Sequence, residues 1–580
     1  MTRVCEEGTF KTWDGTELFC RTWVPAAPSD KALILIHRGH EHSGRLQELL
    51  DALDLTDFWA FSWDNRGHGK SPGERGHAPS YSALVQDLDS FVRHVCAQHH
   101  IPMENVAVVA NSVGAVTAAA WVHDYAPRIR SMVLAAPAFR IKLYMPFAIP
   151  LLRLLLRFKP KATISSYVKS KMLTHDTAQS RAYDQDELIT RDISVNILIG
   201  LHDAATRLMA DAGAIDTPTL VLSGGADWVV QNSAQRSFYR QLSSRMKQME
   251  HFPGFYHALL YEKQRALPIA KARAFIIDSF EHGVDRQALL RADRGGYTRT
   301  EYDLLRQPAS LFRGLGFKLQ RLGMRTVGRL SQGVRMGCAT GFDSGKSLDY
   351  VYENTARGIS FLGRLIDRAY LDAVGWKGIR IRRRHLAAML KTAVEQQLAA
   401  GREVKILELA TGCGRYVLDV LSGMKDRNVS ALLRDRDAGN LEQGRVTAKA
   451  LGIDQVVFEQ GDAFDKASIV SAAPRPNIVI VSGLYELFPD NAMLLASLEG
   501  VAEVLEDGGT LLYTCQPWHP QVEMIARTLT NRDGDPWIMR RRTQAEMDEL
   551  VRSVGLVKQD MLMDEYGIFT VSCARKEPVG

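Results

Sequence analysis

The chain has 580 residues, more than one hydrophobic core normally supports, so about two to four domains are expected. Apolar residues make up 46% and charged residues 24%, as is ordinary for folded globular protein. The net charge of +6 is too small to indicate a nucleic-acid partner. Seven scattered cysteines without a CxxC pair are typical of reduced thiols in a cytosol rather than of a disulfide framework.

Two features of the first domain indicate where in the cell the protein is located. The N-terminal residues contain no apolar stretch of signal-peptide length, so no signal peptide is expected. Residues 141–158 are apolar enough to be weighed as a membrane span, but Lys142, Arg153 and Arg157 would place charges in the bilayer at high cost. We therefore predict an amphipathic surface segment here. The expected location is cytoplasmic, with a peripheral contact at the inner membrane face as a further hypothesis.

Short apolar runs alternate with helical patterns through the first half of the chain. Strands are predicted at residues 32–37, 58–63, 106–110, 131–137 and 217–224. Such runs with helices between them indicate a mostly parallel sheet covered on both faces. Residues from about 139 to 215 look helical and interrupt this pattern. The first domain is predicted to span residues 1–282, with a helical insertion at 139–215.

The second half repeats the alternation after a long helical stretch. Residues 283–344 are basic and helical and are predicted to be a connector. Strands are predicted at residues 404–410, 429–435, 456–462, 477–483 and 510–516, and an antiparallel pair around Tyr566 and Gly567 closes the domain. Residues 345–580 are thus predicted as a second domain with helices at its start. The predicted fold class is α/β, with two doubly wound domains.

A serine between small residues follows the strand predicted at 106–110. Ala110, Ser112 and Gly114 occupy the positions of a nucleophile elbow, where strand and helix backbones crowd and small residues are required. A serine attacks a carbonyl only when a base takes its proton and donors hold the oxyanion. This pattern alone is weak evidence for a catalytic serine. The prediction therefore depends on whether an acid and a base follow at suitable places in the chain.

Two later residues supply those partners in the expected order. Asp227 follows the strand at 217–224, and His257 comes 30 residues later. Serine, aspartate and histidine in this order are typical of a hydrolase triad on a doubly wound sheet. The alternative for Asp227 is a helix N-cap, and for His257 a structural loop histidine. The three together predict catalytic roles for Ser112, Asp227 and His257.

Residues 8–280 resemble the monoacylglycerol lipase and lysophospholipase branch of the α/β-hydrolases, of the serine aminopeptidase S33 type. The resemblance is carried by residues 37–45 and 64–76, by residues 110–115 and by the loops of Asp227 and His257. It implies an oxyanion hole built from the backbone amides of Gly39 and Val113. It also implies that the helical insertion is a cap that forms an acyl-chain tunnel.

One departure from the family matters, because Arg38 stands where the family has a glycine and His40 stands at the place of a later glycine. An oxyanion donor is worth about a hundred- to a thousandfold in rate, so the geometry of this loop matters. Two roles are open for the Arg38 side chain, a contact with an anionic headgroup or a solvated position.

A glycine-rich loop follows the strand predicted at 404–410. Gly412 and Gly414 allow a backbone to approach a cofactor, with the next helix facing it. A dinucleotide fingerprint would need glycine where Val417 stands, and Glu408 precedes the loop. The motif that runs from Glu408 through Ala410 to Gly414 instead resembles the first motif of class I S-adenosylmethionine-dependent methyltransferases.

This second resemblance covers about residues 345–575 and implies a binding site for S-adenosylmethionine. By motif position, Glu408 lies near the methionine amino group, Asp435 binds the ribose hydroxyls and Asp462 lies near the adenine amine. The remaining cofactor contacts are expected at Ala410, Gly412, Gly414, Ala463 and Ser482. A carboxylate suits a ribose because it offers two acceptor oxygens. No metal ligand is implied.

The methyl acceptor is unknown at this stage. Tyr485, Glu486 and His519 are candidates to contact it, and a role as wall residues is the alternative for each. Two basic clusters, at residues 377–384 and 540–542, could hold phosphates of a phospholipid or a membrane surface. The alternative for both clusters is a solvated helix face.

The whole chain resembles bacterial fusions of an α/β-hydrolase with a class I methyltransferase. The first hypothesis is a bifunctional enzyme that cleaves lipid-like esters and transfers a methyl group to an unknown acceptor. The second is that only one domain is catalytic and the other is a binding or regulatory module. The third is a membrane-peripheral scaffold of lipid metabolism.

Overall fold

The computed structural model describes residues 3–425 and 427–577 and contains two compact units, Met1–Asp285 and Arg286–Gly580. The predicted domain limits at residues 1 and 580 lie outside the described residues. Most of the stretch predicted as a connector, residues 283–344, belongs to the second unit.

The first unit is built on a sheet of eight strands in the order β1-β2-β4-β3-β5-β6-β9-β10. The strands from β4 to β10 pair in parallel, and β1 and β2 add an antiparallel hairpin at one edge. Every residue of β3 and β5 is buried, as expected for strands covered on both faces. The bounds are β1 (Cys5–Lys11), β2 (Glu17–Trp23), β3 (Ala32–Ile36), β4 (Trp59–Trp63), β5 (Val106–Asn111), β6 (Ser131–Ala135), β9 (Thr219–Gly224) and β10 (Lys247–Phe252). The five predicted strands are confirmed, whereas β1, β2 and β10 were not predicted.

Helices cover this sheet and form the insertion. The helices of the unit are α1 (Gln47–Leu53), α2 (Tyr81–Gln98), α3 (Val113–Tyr125), α4 (Ala148–Phe158), α5 (Thr177–Gln185), α6 (Val195–Ala210), α7 (Asn232–Gln241) and α8 (Ala266–His282). The insertion holds α4 to α6 and, in addition, a small antiparallel pair of β7 (Thr163–Ser165) and β8 (Asp192–Ser194). Leu152 of α4 is buried while Leu151 and Leu154 are exposed, so the predicted amphipathic surface segment is confirmed. Among the described residues, we find no helix with the length and apolar character that a membrane crossing requires.

The second unit is built on a sheet of seven strands in the order β13-β12-β11-β14-β15-β17-β16. Its first five strands in this order are parallel, and β17 joins β15 and β16 in antiparallel fashion. The bounds are β11 (Val404–Leu409), β12 (Val429–Asp435), β13 (Val456–Gln460), β14 (Ile478–Val481), β15 (Thr510–Cys515), β16 (Leu556–Met563) and β17 (Thr570–Lys576). All five predicted strands and the closing antiparallel pair are confirmed.

Helices pack on both faces of this second sheet and extend upstream of it. They are α9 (Ala292–Gly295), α10 (Tyr297–Arg306), α11 (Leu311–Arg325), α12 (Gln332–Thr340), α13 (Gly345–Glu353), α14 (Ser360–Leu371), α15 (Val374–Ala399), α16 (Arg415–Ser422), α17 (Ala438–Leu451), α18 (Lys466–Val470), α19 (Asn491–Val504), α20 (Val522–Thr528) and α21 (Gln544–Ser553). One core lies between the sheet and α15 to α17, and another between the sheet and α19 and α21. The predicted α/β class with two doubly wound domains is confirmed. The carboxyl ends of β11, β12 and β14 therefore meet at one edge, where ligands bind in such sheets.

Candidate functional sites

Ser112 lies in the sharp turn between β5 and α3. Its backbone has φ +56° and ψ −114°, a conformation that side chains rarely adopt and that is found where strain serves a site. A Cβ at Gly114 would lie 2.6 Å from the carbonyl oxygen of His37, so only glycine fits there. Ala110 is fully buried at the end of the strand, and its methyl group is accommodated. The sequence pattern thus forms a nucleophile elbow.

The structure brings Ser112, His257 and Asp227 together in one hydrogen-bonded chain. His257 Nε2 lies 2.8 Å from Ser112 Oγ, and His257 Nδ1 lies 2.8 Å from Asp227 Oδ2. The amides of Val229 and Val230 donate to Asp227 Oδ1 at 2.7 and 3.0 Å. Burial would raise the pKa of Asp227, but His257 and these two amides outweigh it and hold the pKa below its usual value. The carboxylate is therefore available to orient the imidazole.

The two residues expected to form the oxyanion hole lie against each other beside Ser112. A Cβ at Gly39 would lie 2.8 Å from Val113 Cγ2, so the loop after β3 approaches the start of α3 closely. Val113 is the first residue of α3, where backbone amides have no partner within the helix. The carbonyl oxygen of Gly39 lies 2.9 Å from His68 Nε2, which holds this loop in place.

Arg38 takes neither of the two positions considered from the sequence. Its side chain is buried and forms a two-point ion pair with Glu41, with Nε 2.9 Å from Oε2. Its guanidinium also lies over the ring of Tyr261, 5.3 Å from the centroid. Both the headgroup contact and the solvated position are therefore wrong. Arg38 instead braces the loop that carries Gly39.

Glu41 is the acid on which this loop depends. It also accepts from Arg45 Nε at 3.0 Å, and the arginines overcome burial to lower its pKa to about 2.

Glu41→Ala would leave Arg38 buried without its acid, so we expect a loss of about 3–5 kcal/mol in the free energy of unfolding. Chemical denaturation would measure it. Glu48→Ala, which removes an exposed partner of Arg265, should cost about 1 kcal/mol or less. Equal losses for the two variants would contradict the buried pair.

In the second unit, the glycine-rich loop turns sharply after β11. Ala410, Gly412 and Gly414 all have positive φ angles, of 55°, 59° and 68°. A Cβ at Gly414 would lie 2.7 Å from Leu433 Cδ1, so this glycine permits close packing of α16 on the sheet. A Cβ at Gly412 would meet nothing within 4 Å, because this residue faces open space. The loop thus presents bare backbone to a cavity.

Glu408 lies at the carboxyl end of β11 with 1% of its surface exposed. The hydroxyls of Thr411 and Tyr416 donate to its two oxygens. Burial raises the pKa of Glu408 to about 7, and the nearby charge of Asp435 acts in the same direction. An acid with this pKa is poised to become a carboxylate when a positive group binds beside it.

Asp435 lies at the end of the neighbouring strand and holds the glycine-rich loop. Its Oδ2 accepts from the Gly412 amide at 2.7 Å, and its Oδ1 accepts from the Asp437 amide at 2.8 Å. Asp462 follows β13 and accepts from the Phe464 amide at 2.9 Å. Backbone donors hold the two carboxylates, and neither carboxylate pairs with an arginine or lysine in the described part of the chain, which leaves charge and lone pairs for a ligand.

These residues line one cavity of about 1070 Å³. All eight predicted cofactor contacts line it: Glu408, Ala410, Gly412, Gly414, Asp435, Asp462, Ala463 and Ser482. No sequence motif indicates the aromatic part of the wall, which includes Tyr352, Trp376, Trp537 and Phe569. These side chains come from distant helices and loops and carry no local motif, so only the fold brings them together.

The candidates for acceptor contact separate into two groups. Glu486 and His519 line the cavity, whereas Tyr485 is buried in the core with its hydroxyl 2.9 Å from Ser497 Oγ, so its predicted contact with an acceptor is wrong. Burial lowers the pKa of His519 to about 4, which keeps the imidazole neutral. Among the described residues, Glu486 Oε2 and Gln516 Nε2 are buried without a hydrogen-bond partner. A ligand or an ordered water molecule bound in the cavity would satisfy these two atoms.

The basic cluster at residues 540–542 forms neither of the surfaces considered from the sequence. Arg540, Arg541 and Arg542 are each 3% exposed or less. Arg540 pairs with Glu546 and Arg541 with Glu301, each at 2.5 Å, and Arg542 donates to the Tyr485 carbonyl. Both alternatives for residues 540–542, a phosphate site and a solvated face, are therefore wrong. In the other cluster, Arg382 is buried in the cavity wall, and Arg383 pairs with Asp419.

Comparison with known proteins agrees with the division of the chain into two units. Residues 27–264 match the family described as "Serine aminopeptidase, S33", and residues 272–576 match the family described as "Putative methyltransferase". Monoglyceride lipases of Rattus norvegicus and Homo sapiens are each 29% identical to this chain, over 42% of it and 81% of theirs. A solved monoacylglycerol lipase of Paleococcus ferrophilus is 25% identical, over 45% of this chain and 99% of that one, with a TM-score of 0.42.

One relative matches from end to end. The protein named "Uncharacterized protein YnbC" from Escherichia coli K12 is 46% identical over 577 residues, covering 99% of this chain and 98% of that protein. The order of a hydrolase unit and a methyltransferase unit is thus shared along the whole length. The chain belongs to the same family as this protein, in which an α/β-hydrolase of the monoglyceride lipase-like type precedes a domain of the "Putative methyltransferase" family.

Proposed function

We propose that the first unit is a serine hydrolase that cleaves carboxylic esters of lipid-like substrates. The observation that carries this proposal is the buried chain from Ser112 Oγ through His257 to Asp227, with both hydrogen bonds at 2.8 Å. Relatives named monoglyceride lipase support an ester of the monoacylglycerol or lysophospholipid type. The apolar insertion supports an acyl chain as the part that is recognised.

In the proposed reaction, His257 Nε2 takes the proton of Ser112 as Oγ attacks the ester carbonyl carbon. The amides of Gly39 and Val113 would donate to the oxyanion that forms. His257 then gives its proton to the leaving alkoxide, and an acyl-enzyme remains. A water molecule, deprotonated by His257, hydrolyses it, and Asp227 stabilises the imidazolium in both halves of the reaction.

A panel of p-nitrophenyl esters and monoacyl lipids of increasing chain length tests this assignment. Hydrolysis with a preference for long chains would support the lipid-like substrate, and a preference for acetate would contradict it. Failure to hydrolyse any ester, in protein that is folded and binds S-adenosylmethionine, would favour the alternative that this unit is a binding or regulatory module.

We propose that the second unit transfers a methyl group from S-adenosylmethionine. The observation that carries this is the cavity where Glu408, Asp435 and the bare backbone at Gly412 converge. Glu408 would hold the amino group, Asp435 the ribose hydroxyls and Asp462 the adenine amine. When bound, the cofactor supplies an electrophilic methyl group on a sulfonium. Transfer can require only alignment of donor and acceptor.

The acceptor would bind beyond the cofactor, where Glu486 and Gln516 carry unpartnered atoms. Glu486 Oε1 already accepts from Thr514 Oγ1 at 2.7 Å, so Oε2 is the atom left for an acceptor's N–H or O–H.

We also propose a cytoplasmic location for the chain. The free thiols of all seven cysteines support this proposal.

The pKa of Glu408 predicts how cofactor affinity depends on pH. A bound amino group favours the carboxylate, so below pH 7 binding must release the proton that Glu408 holds. We expect the affinity to rise with pH up to about 7, by at most about tenfold per pH unit, and then to level off. Calorimetry in buffers of different ionisation enthalpy would measure affinity and proton release together.

Two variants make this test specific. Glu408→Gln should bind more weakly and lose the pH dependence of affinity below about pH 7. Glu403→Gln, an exposed acid just before the same strand, should retain it. A pH dependence that survives in Glu408→Gln would show that another group titrates.

A further inference from the structure

The surface of the second unit carries a long exposed apolar face on α11. Leu311 and Phe312 are 91% and 92% exposed, and Leu315, Leu319 and Leu322 are each more than half exposed. Their spacing of three or four residues places them along one side of the helix. Solitary exposed apolar residues are normal, but a row of this length marks an interaction site.

The apolar face continues onto α14. Phe361, Leu362 and Leu365 are exposed there by 70%, 53% and 52%. Both helices pack on the short turn Val327–Leu330, whose Val327 is also exposed. We call the exposed apolar residues of α11, this turn and α14 the apolar ridge.

The charged residues of α11 itself are all basic. Helix α11 carries Arg313, Lys318, Arg321 and Arg325 and contains no acidic residue. Arg313 contacts Glu523 and Arg321 contacts a backbone carbonyl, while Lys318, Arg325 and Arg364 are exposed. Exposed apolar side chains among lysines and arginines are typical of helices that lie in the interface of an anionic bilayer. A protein interface would instead be depleted of lysine at its centre.

The same two helices form part of the cavity wall. Gln320, Gly323 and Met324 of α11 line the cavity, as do Ala369 and Tyr370 of α14. Val327, a residue of the apolar ridge, lines the cavity as well, so the ridge borders the cavity that holds the candidate cofactor site.

We propose that the apolar ridge docks the second unit onto an anionic lipid surface. Leucine and phenylalanine side chains enter the acyl boundary, and the surrounding lysines and arginines meet lipid phosphates. Docking does not depend on the proposed methyl transfer. Where that function holds, the ridge brings one wall of the cavity to a membrane, and the methyl acceptor is then an amphiphile taken from the lipid phase.

Vesicle co-sedimentation of the full chain tests this inference. We expect binding to vesicles of phosphatidylcholine mixed with phosphatidylglycerol, weaker binding to phosphatidylcholine alone, and release by salt. Reversing Lys318, Arg325 and Arg364 to glutamate should weaken binding about a hundredfold or more, because each basic side chain near such a surface contributes about 1 kcal/mol. Phe312→Ser with Leu315→Ser should weaken it on both vesicle types.

Matched controls localise the effect. Val446→Ser with Val457→Ser removes exposed apolar residues elsewhere on the same unit and should leave binding unchanged. Leu151→Ser with Leu154→Ser tests the exposed face of α4. Loss of binding only in this α4 variant would overturn the proposal, as would the absence of binding to anionic vesicles.

A second copy of the chain is the rival occupant, and light scattering distinguishes it. A dimer that dissociates in Phe312→Ser with Leu315→Ser, without vesicle binding in the original protein, would overturn lipid docking.

Calorimetry with S-adenosylmethionine distinguishes failure of lipid docking from failure of the proposed methyl transfer. Vesicle binding without cofactor binding supports docking and contradicts methyl transfer, and the reverse result contradicts docking alone.

Discussion

Ser112→Ala is expected to lower kcat for ester hydrolysis by about 10⁴- to 10⁶-fold, since the residues of a triad act as a unit and fail together. The loss follows from removal of the hydroxyl that His257 Nε2 contacts. Alanine is smaller than serine and can occupy the same turn, so the fold should persist. Steady-state hydrolysis of the preferred ester, with protein concentration set by absorbance, would measure the effect.

The second unit provides an internal control for this variant. S-adenosylmethionine affinity, measured by calorimetry, should be the same in Ser112→Ala and in the original protein. Residual hydrolysis above about one part in a thousand would contradict Ser112 as the nucleophile. Loss of cofactor binding in the same variant would show that the two units are coupled.

Asp435→Ala is expected to weaken S-adenosylmethionine binding by about 10²- to 10⁴-fold, from the loss of hydrogen bonds to a charged group worth about 1.5–3 kcal/mol each. The carboxylate would hold the ribose, and it already anchors the loop through the Gly412 amide at 2.7 Å. Both effects act on the same site, so the loss should exceed that of a single hydrogen bond. Calorimetric titration would measure it.

Asp437→Ala is the matched control for this second variant. Asp437 lies two residues later, caps α17 through the Gly439 and Asn440 amides, and is absent from the cavity lining. Its loss should cost about 1 kcal/mol of stability and leave cofactor affinity nearly unchanged. Esterase activity should survive in both variants. Equal loss of affinity in the two would show that the loop around α17, rather than Asp435 itself, is responsible.

Much of this architecture could be predicted because local sequence determines it. Strands such as β3 and β5 are short runs of apolar residues, and such runs are typical of buried parallel strands. The nucleophile elbow and the glycine-rich loop are equally local, since each is a turn that tolerates only small residues. The missed hairpin strand β1 is largely exposed, so it lacks the apolar alternation that would predict it.

Long-range ion pairs could not be predicted in the same way. Arg38 and residues 540–542 look solvated because arginine is rarely buried without a partner. Their partners follow from the fold: Arg541 meets Glu301, 240 residues away in the chain. The unpartnered oxygen of Glu486 and the aromatic wall of the cavity are likewise products of tertiary structure.

The pair of Glu301 and Arg541 also determines where this fusion can be divided. Glu301 lies on α10, within the stretch that sequence alone suggests is a spacer, yet it neutralises an arginine that is 2% exposed in the second unit. A gene break placed near residue 345 would remove the acid that pairs with this arginine and would remove α11 from the cavity wall. Recombination that moves the second unit into a new protein, by nature or by design, must therefore carry the chain from Arg286 onward.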